Sequence, residues 1–127
     1  MNNELGKIKK FTDLNAWKEG HKLVLQIYEI TRNFSKEELF ILVSQMKRCD
    51  VSITSNIAEG FGRQSYKEKI QFYFIALGSV TELQNQLLIS KDVGYLSSDK
   101  FEKIAEQTII VHKILNGLIK ASRSHNS

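Results

Sequence analysis

The sequence predicts an all-α protein, an antiparallel up-down-up-down four-helix bundle, on three observations. The 127 residues contain no proline and seven glycines, whereas sandwiches and barrels use both residues in their many turns. Long segments repeat apolar residues at intervals of three and four, which is the helical period. The connections between these segments are short, and short connections place successive helices antiparallel.

The first two helices are predicted from their caps and their apolar stripes. The first should begin near Asp13, a favourable N-cap, and end near Asn33. Its predicted core stripe is Leu14, Trp17, His21, Val24, Leu25 and Tyr28. The second should follow a capping box at Ser35 and Glu38 and extend to about Phe61 or Gly62. Its predicted core face is Leu39, Leu42, Met46, Cys49, Ile53, Ile57 and Gly60.

The last two helices are predicted in the same way. A second capping box, at Ser65 and Glu68, should open the third helix, which runs to Gly94. Its stripe is Ile70, Tyr73, Leu77, Val80 and Leu87. The fourth helix carries Phe101, Ile104, Thr108, Val111, His112, Leu115 and Ile119 on one face. The chain therefore divides into a basic N-terminal arm (1–12), the bundle domain (13–121) and a polar, frayed tail (122–127).

The third helix carries more apolar surface than a monomeric bundle needs. It is apolar nearly all round, with Phe72, Phe74 and Ile75 lying off the main stripe. Excess apolar surface usually marks an interface, so these residues predict a homo-oligomer. The alternative is that side chains of the N-terminal arm cover them.

The second helix also has a stripe of polar residues opposite its core face. Its members are Arg48, Ser52, Asn56, Glu59 and Arg63. Small polar side chains let another backbone approach while still offering hydrogen bonds. One interpretation is therefore a lumen, a ligand site or a polar subunit contact. The other is a solvated face with a Glu59–Arg63 pair at i,i+4.

The net charge of +4 is concentrated in the N-terminal arm and the fourth helix. In an antiparallel bundle both regions meet the loop between helices two and three at one pole. The predicted basic pole consists of Lys7, Lys9, Lys10, Arg63, Lys67, Lys69, Lys120 and Arg123. Such a pole can bind nucleic-acid backbones by counterion release, with Tyr66 as the sole aromatic candidate for base stacking. The alternative is that these are ordinary solubilising lysines.

Enzymatic chemistry, metals and cofactors are not expected. Cys49, the single cysteine, falls on an apolar face, where no base is available to activate a thiol. No histidine follows a glutamate at the Glu-x-x-His spacing of di-iron bundles, and His21 and His112 lack a third ligand for zinc. The N-terminus lacks the apolar stretch of a signal peptide, and the longest apolar run is 72–77. We therefore expect a cytoplasmic protein without a membrane partner.

Three segments resemble a known bacterial family. They are Phe11-Thr-Asp-Leu-Asn-Ala-Trp17, Val51-Ser-Ile-Thr-Ser-Asn-Ile-Ala-Glu-Gly60 and Ile75-Ala-Leu-Gly-Ser-Val-Thr-Glu-Leu83. The chain is similar in these segments to the 23S rRNA intervening sequence proteins. The resemblance implies a four-helix bundle that associates as a homopentamer and has no established enzymatic activity. A related branch, the accessory variability determinants of diversity-generating retroelements, associates with nucleic acid and a reverse transcriptase. Ser35 and Thr54 stand where members often have proline.

Together these observations predict a non-enzymatic homo-oligomer that associates with RNA or DNA through its basic pole. The alternative is an oligomeric scaffold or adaptor that binds a protein partner.

Overall fold

The structure, a computed structural model, describes residues 8–126 except for the side chains of residues 38, 39 and 126. A 3-10 turn, Phe11–Asp13, precedes the first helix. The four long helices are α1 (Asn15–Thr31), α2 (Ser44–Phe61), α3 (Tyr66–Asp92) and α4 (Ser98–Asn126). An α-helical turn, Lys36–Glu38, and a π-helical turn, Leu39–Val43, lead into α2. The all-α four-helix bundle is confirmed: α1 and α3 each pack against both α2 and α4, and short connections alternate the helix directions.

The helix α3 starts at the residue that the sequence predicts, directly after Ser65. The Glu68 N–H donates to Ser65 Oγ at 3.2 Å, so the predicted Ser65 N-cap is present. The Glu68 carboxylate accepts from the Ser65 hydroxyl at 3.1 Å, whereas a full capping box would have it accept from the Ser65 backbone N–H. After α3, Gly94 has a φ of 90°, a left-handed conformation that glycine adopts without strain. The other predicted box depends on the side chain of residue 38, which lies outside the described part of the chain.

Two predicted helix ends differ from the structure. Asp13 does not cap α1; its carboxylate accepts the Lys9 and Lys10 N–H groups at 3.0 Å each and closes the 3-10 turn instead. At the other end of the chain, residues 122–126 continue α4, although the sequence predicts a frayed tail there. Tertiary contacts explain the extension, because Ser122 is buried and the His125 ring stacks on Tyr66.

The predicted core stripe of α1 is wrong for three of its six members. The residues that α1 buries are Ala16, Gly20, Leu23, Ile27 and Thr31, whereas His21, Leu25 and Tyr28 are exposed. The reason is the close approach of α2: a Cβ placed on Gly20 would lie 3.1 Å from Thr54 Cγ2. A glycine therefore faces α2 at the point of closest approach, and His21, Leu25 and Tyr28 lie at the surface.

The core faces of the other helices largely match their predicted stripes. The large core side chains that are fully enclosed include Met46, Ile53, Ile57, Tyr73, Val80, Leu87, Ile104, Val111 and Leu115. One charged residue is buried with them, because Asp50 has no exposed surface. Among residues 8–126, no helix is both long and apolar enough to cross a membrane.

Candidate nucleic-acid interface

The basic pole is where the N-terminal segment, the end of α2, the start of α3 and the end of α4 meet. Lys69 Nζ donates to the Phe61 carbonyl at 2.6 Å, which joins α3 to α2. The Tyr66 and His125 rings stack with centroids 4.8 Å apart, which joins α3 to α4. Ile8 lines a cavity with residues of all three helices. The predicted convergence of these chain segments is thus a feature of the fold.

The cations predicted for this pole differ in solvent exposure and in their contacts within the chain. Lys7 lies outside the described residues. Four others have exposed side chains: Lys9, Lys10, Lys67 and Lys120. The remaining three have contacts within the chain. Arg63 pairs with Glu59 at 3.1 Å, the Arg123 guanidinium lies 5.2 Å from the Phe74 ring centre, and Lys69 is half-buried.

The carboxylates of the pole within residues 8–126 are already engaged by local groups. The backbone N–H groups of Lys9 and Lys10 lower the pKa of Asp13 and hold it ionised. Glu68 accepts the hydrogen bond of its own helix cap, and Glu59 pairs with Arg63. Among the described residues, Lys9, Lys67 and Lys120 form no ion pair with a carboxylate, whereas the Lys10 charge also lowers the pKa of Asp13.

The polar stripe of α2 is in part a contact between α2 and α3 of the same chain. Ser52 Oγ and Ser79 Oγ are 3.0 Å apart, and Asn56 Nδ2 donates to Ser52 O at 2.8 Å and to Ser52 Oγ at 3.0 Å. Glu59 and Arg63 form the predicted i,i+4 pair, and the Arg63 guanidinium also covers the Phe72 ring at 4.6 Å. Arg48 is exposed and lines a groove between the two helices with Ser52.

The residues predicted as a subunit interface occupy three different environments. Phe72 is half-buried under Arg63. Phe74 is 43% exposed, with Arg123 over its ring, and Ile75 is 52% exposed. Ile75 is therefore the most accessible apolar side chain of the three.

The buried titratable groups of α2 are poorly suited to catalysis. Burial raises the pKa of the Cys49 thiol to about 12, with Glu82 and Asp50 adding to the effect, so the thiol is protonated at neutral pH. Cys49 Sγ donates to the Ser79 carbonyl at 2.9 Å. The same helix places both Asp50 carboxylate oxygens in the core without a hydrogen-bond partner, and no sequence pattern singles this residue out.

The two bundle histidines have separate partners. His21 is exposed and stacks on Trp17 with ring centres 4.6 Å apart, whereas His112 is within 3.1 Å of Asn116 Nδ2. Within residues 8–126, no three His, Cys, Asp or Glu side chains are grouped as metal ligands.

The fold and the pole define a small all-α bundle protein with a cationic end. The chain belongs to the 23S rRNA-intervening sequence protein family, whose model matches residues 12–117. A crystal structure of a protein with unknown function from the S23 ribosomal protein family of Bacteroides thetaiotaomicron VPI-5482 has the same fold. The TM-score is 0.76 at 23% identity, covering 83% of this chain and 95% of that one. A comparison with curated proteins gives no match.

Proposed function

We propose that the chain is a non-enzymatic, ring-forming protein that binds the backbones of RNA or DNA through its basic pole without reading their sequence. The observation that carries this proposal is the meeting of exposed lysines from separate chain segments at one end of the bundle. They are Lys9 and Lys10 before α1, Lys67 at the start of α3 and Lys120 near the end of α4. Such a field binds phosphates by releasing their counterions.

The salt dependence of binding tests this proposal. Each lysine that neutralises a phosphate of a single strand contributes about 0.7 to the slope of log K against log salt. Replacing both Lys67 and Lys120 by glutamine should therefore lower the slope by about 1.4. The matched control is glutamine at Lys100 and Lys103, exposed lysines near the other end of α4. The proposal would be contradicted if both double variants lowered the slope equally, or if the wild type showed no salt-dependent binding.

Assembly into a ring is the second part of the proposal. Exposed apolar side chains lie on α1, where Leu25 is 58% exposed, and on α3, where Ile75 is 52% exposed. These helices are diagonal in the bundle, because each packs against α2 and α4. A contact between two different faces is heterologous, and such contacts close into rings when the rotation permits. We propose that this ring has five members, as the resemblance implies.

Charge substitutions on the two faces test the ring. Leu25→Glu and Ile75→Glu should each give a folded monomer, since each removes one half of the same contact. When mixed, the two variants retain one intact pair of faces and should form a two-chain particle and nothing larger. Sedimentation velocity gives the masses, with Lys103→Glu as the control that leaves the assembly intact. An unchanged mass for either single variant would contradict the assignment of its face.

A protein scaffold is the second candidate function. It is favoured by the π-helical turn at 39–43, where Phe40 is 86% exposed and Ile41 is 67% exposed. Irregular helical turns of this kind often mark functional sites. A purified protein partner that binds independently of salt, and that Phe40→Ser abolishes, would support the scaffold. Steep salt dependence with single-stranded RNA would favour the first candidate.

A further inference from the structure

The basic pole contains a cavity of about 310 Å³, which we call the pole pocket. Its apolar wall includes Leu14, Phe61 and Leu118, and its polar and aromatic side includes Tyr66, Lys69 and His125. This volume lies within the range of pockets that hold small organic groups, and the combination of an apolar wall with a few polar groups is typical of them.

Lys69 gives the pole pocket a cation without a counter-ion. Its Nζ donates to the Phe61 carbonyl and lies 5.4 Å from the Phe61 ring centre and 5.8 Å from that of Tyr66. It forms no ion pair with a described carboxylate. Burial lowers the pKa of this ammonium group, and the attraction of an anion in the pocket would offset that cost by favouring the charged form. The pocket thus favours a ligand with a negative group.

Tyr66 gives the pole pocket a surface for a flat ring. The imidazole of His125 lies against it with an interplanar angle of 13° and a centroid distance of 4.8 Å. A nucleobase that displaced the His125 imidazole would stack on the same face of this tyrosine, which is 37% exposed. Aromatic faces of this kind stack nucleobases with little dependence on sequence.

The surroundings of the pocket favour a polyanion over a free small acid. Lys67 follows Tyr66 in the chain and Lys120 precedes Ala121, another lining residue, and both lysines are exposed. A ligand with a flat aromatic group, an attached anion and further charges along a chain has the chemistry of a single-stranded nucleic acid. Bases in a duplex are stacked and paired and so cannot enter.

We propose that the pole pocket accepts one unstacked base of a single-stranded nucleic acid, stacked against the Tyr66 side, with the attached phosphate facing Lys69. This inference rests on the proposed function and deepens it, because it assigns single strands as the ligand class. The lysines around the pocket bind the backbone, and the pocket itself holds a base.

Fluorescence of 2-aminopurine, which stacking quenches, tests the inference. The probes are a short single strand that contains this base, the same strand paired with its complement, and free 2-aminopurine riboside 5′-monophosphate. The protein should quench the free nucleotide, should change the emission of the single strand as the base leaves its neighbours, and should leave the emission of the duplex unchanged. Tyr66→Leu should weaken binding of the free nucleotide by about fivefold or more.

A matched pair of charge variants separates the pocket from the backbone contacts. Lys69→Gln and Lys67→Gln each remove one charge from the start of α3, but only Lys69 lines the pocket. We expect Lys69→Gln to abolish quenching and Lys67→Gln to retain it, with both variants folded by circular dichroism. If Lys69→Gln unfolds, the Tyr66→Leu variant tests the pocket by itself. The Tyr66 side chain is partly exposed, so its replacement should leave the protein folded.

The outcomes distinguish this inference from the proposed function. Salt-dependent strand binding without quenching would overturn the pocket and leave the proposed function standing. Quenching of the free nucleotide without any strand binding would overturn the proposed function and, with it, the assignment of single strands as the ligand of the pocket. Equal quenching by the wild type and both Lys variants, or quenching of the duplex, would overturn the pocket.

Discussion

Asp50 is the residue whose environment departs furthest from ordinary protein chemistry. Its side chain has no exposed surface, and neither carboxylate oxygen has a hydrogen-bond partner. Burial raises the pKa of this carboxyl from an ordinary value near 3.9 to about 8. At neutral pH the folded protein therefore holds a proton on Asp50 that the unfolded chain has lost.

The stability of the protein should consequently fall as pH rises. A group whose pKa is higher in the folded state stabilises the fold fully below the unfolded value, and that stability is lost as pH rises through the folded value. We expect the free energy of unfolding, relative to that of Asp50→Asn, to drop by a few kcal/mol between about pH 4 and pH 8. Urea unfolding of both proteins across this range measures the difference. A difference that is constant with pH would show that Asp50 has a partner in solution.

The helix α2 shows how small residues decide which faces meet. Gly60 lies against α3, where an added Cβ would be 2.8 Å from Tyr73 Cε1 and 2.9 Å from Phe72 Cβ. On the other side of the same helix, Thr54 lies close to Gly20 of α1. A Cβ at Gly60 would overlap α3, and a Cβ at Gly20 would crowd the Thr54 methyl group. The apolar stripes include Gly60 but not Gly20. This is why periodicity predicted the faces of α2, α3 and α4 but misplaced three of the six stripe residues of α1.

A pair of glycine substitutions tests this account of the packing. Gly60→Ala should destabilise the protein by about 1–3 kcal/mol, because an overlap with two aromatic side chains forces the helices apart. Gly117→Ala is the matched control, since a Cβ placed on Gly117, inside α4, would meet no described side chain within 4 Å. It should stabilise the protein by about 0.5–1 kcal/mol through the helix preference of alanine. Thermal unfolding compares the two, and a stabilising Gly60→Ala would refute the close approach.

At the scale of the whole molecule, composition and helical period were enough to predict the bundle and the meeting of its basic segments. The contacts that Lys69 and His125 make at the pole pocket were not predictable from composition and helical period. Lys69 turns into the pole pocket because the Phe61 carbonyl at the end of α2 accepts its ammonium group, a contact between residues of different helices. His125 is ordered because Tyr66 lies beside it in space and not in sequence. Both features depend on tertiary packing, which a single sequence pattern does not encode.

Light scattering of the purified protein, with and without a short single-stranded RNA, tests the central claim most directly. The claim is that a ring of these chains carries a basic pole that binds phosphate backbones. It predicts a particle of several chains whose mass increases by bound RNA at low salt and returns to that of the protein at moderate salt, because counterion release weakens with added salt. A particle whose mass never increases with RNA, at any salt concentration, would contradict it.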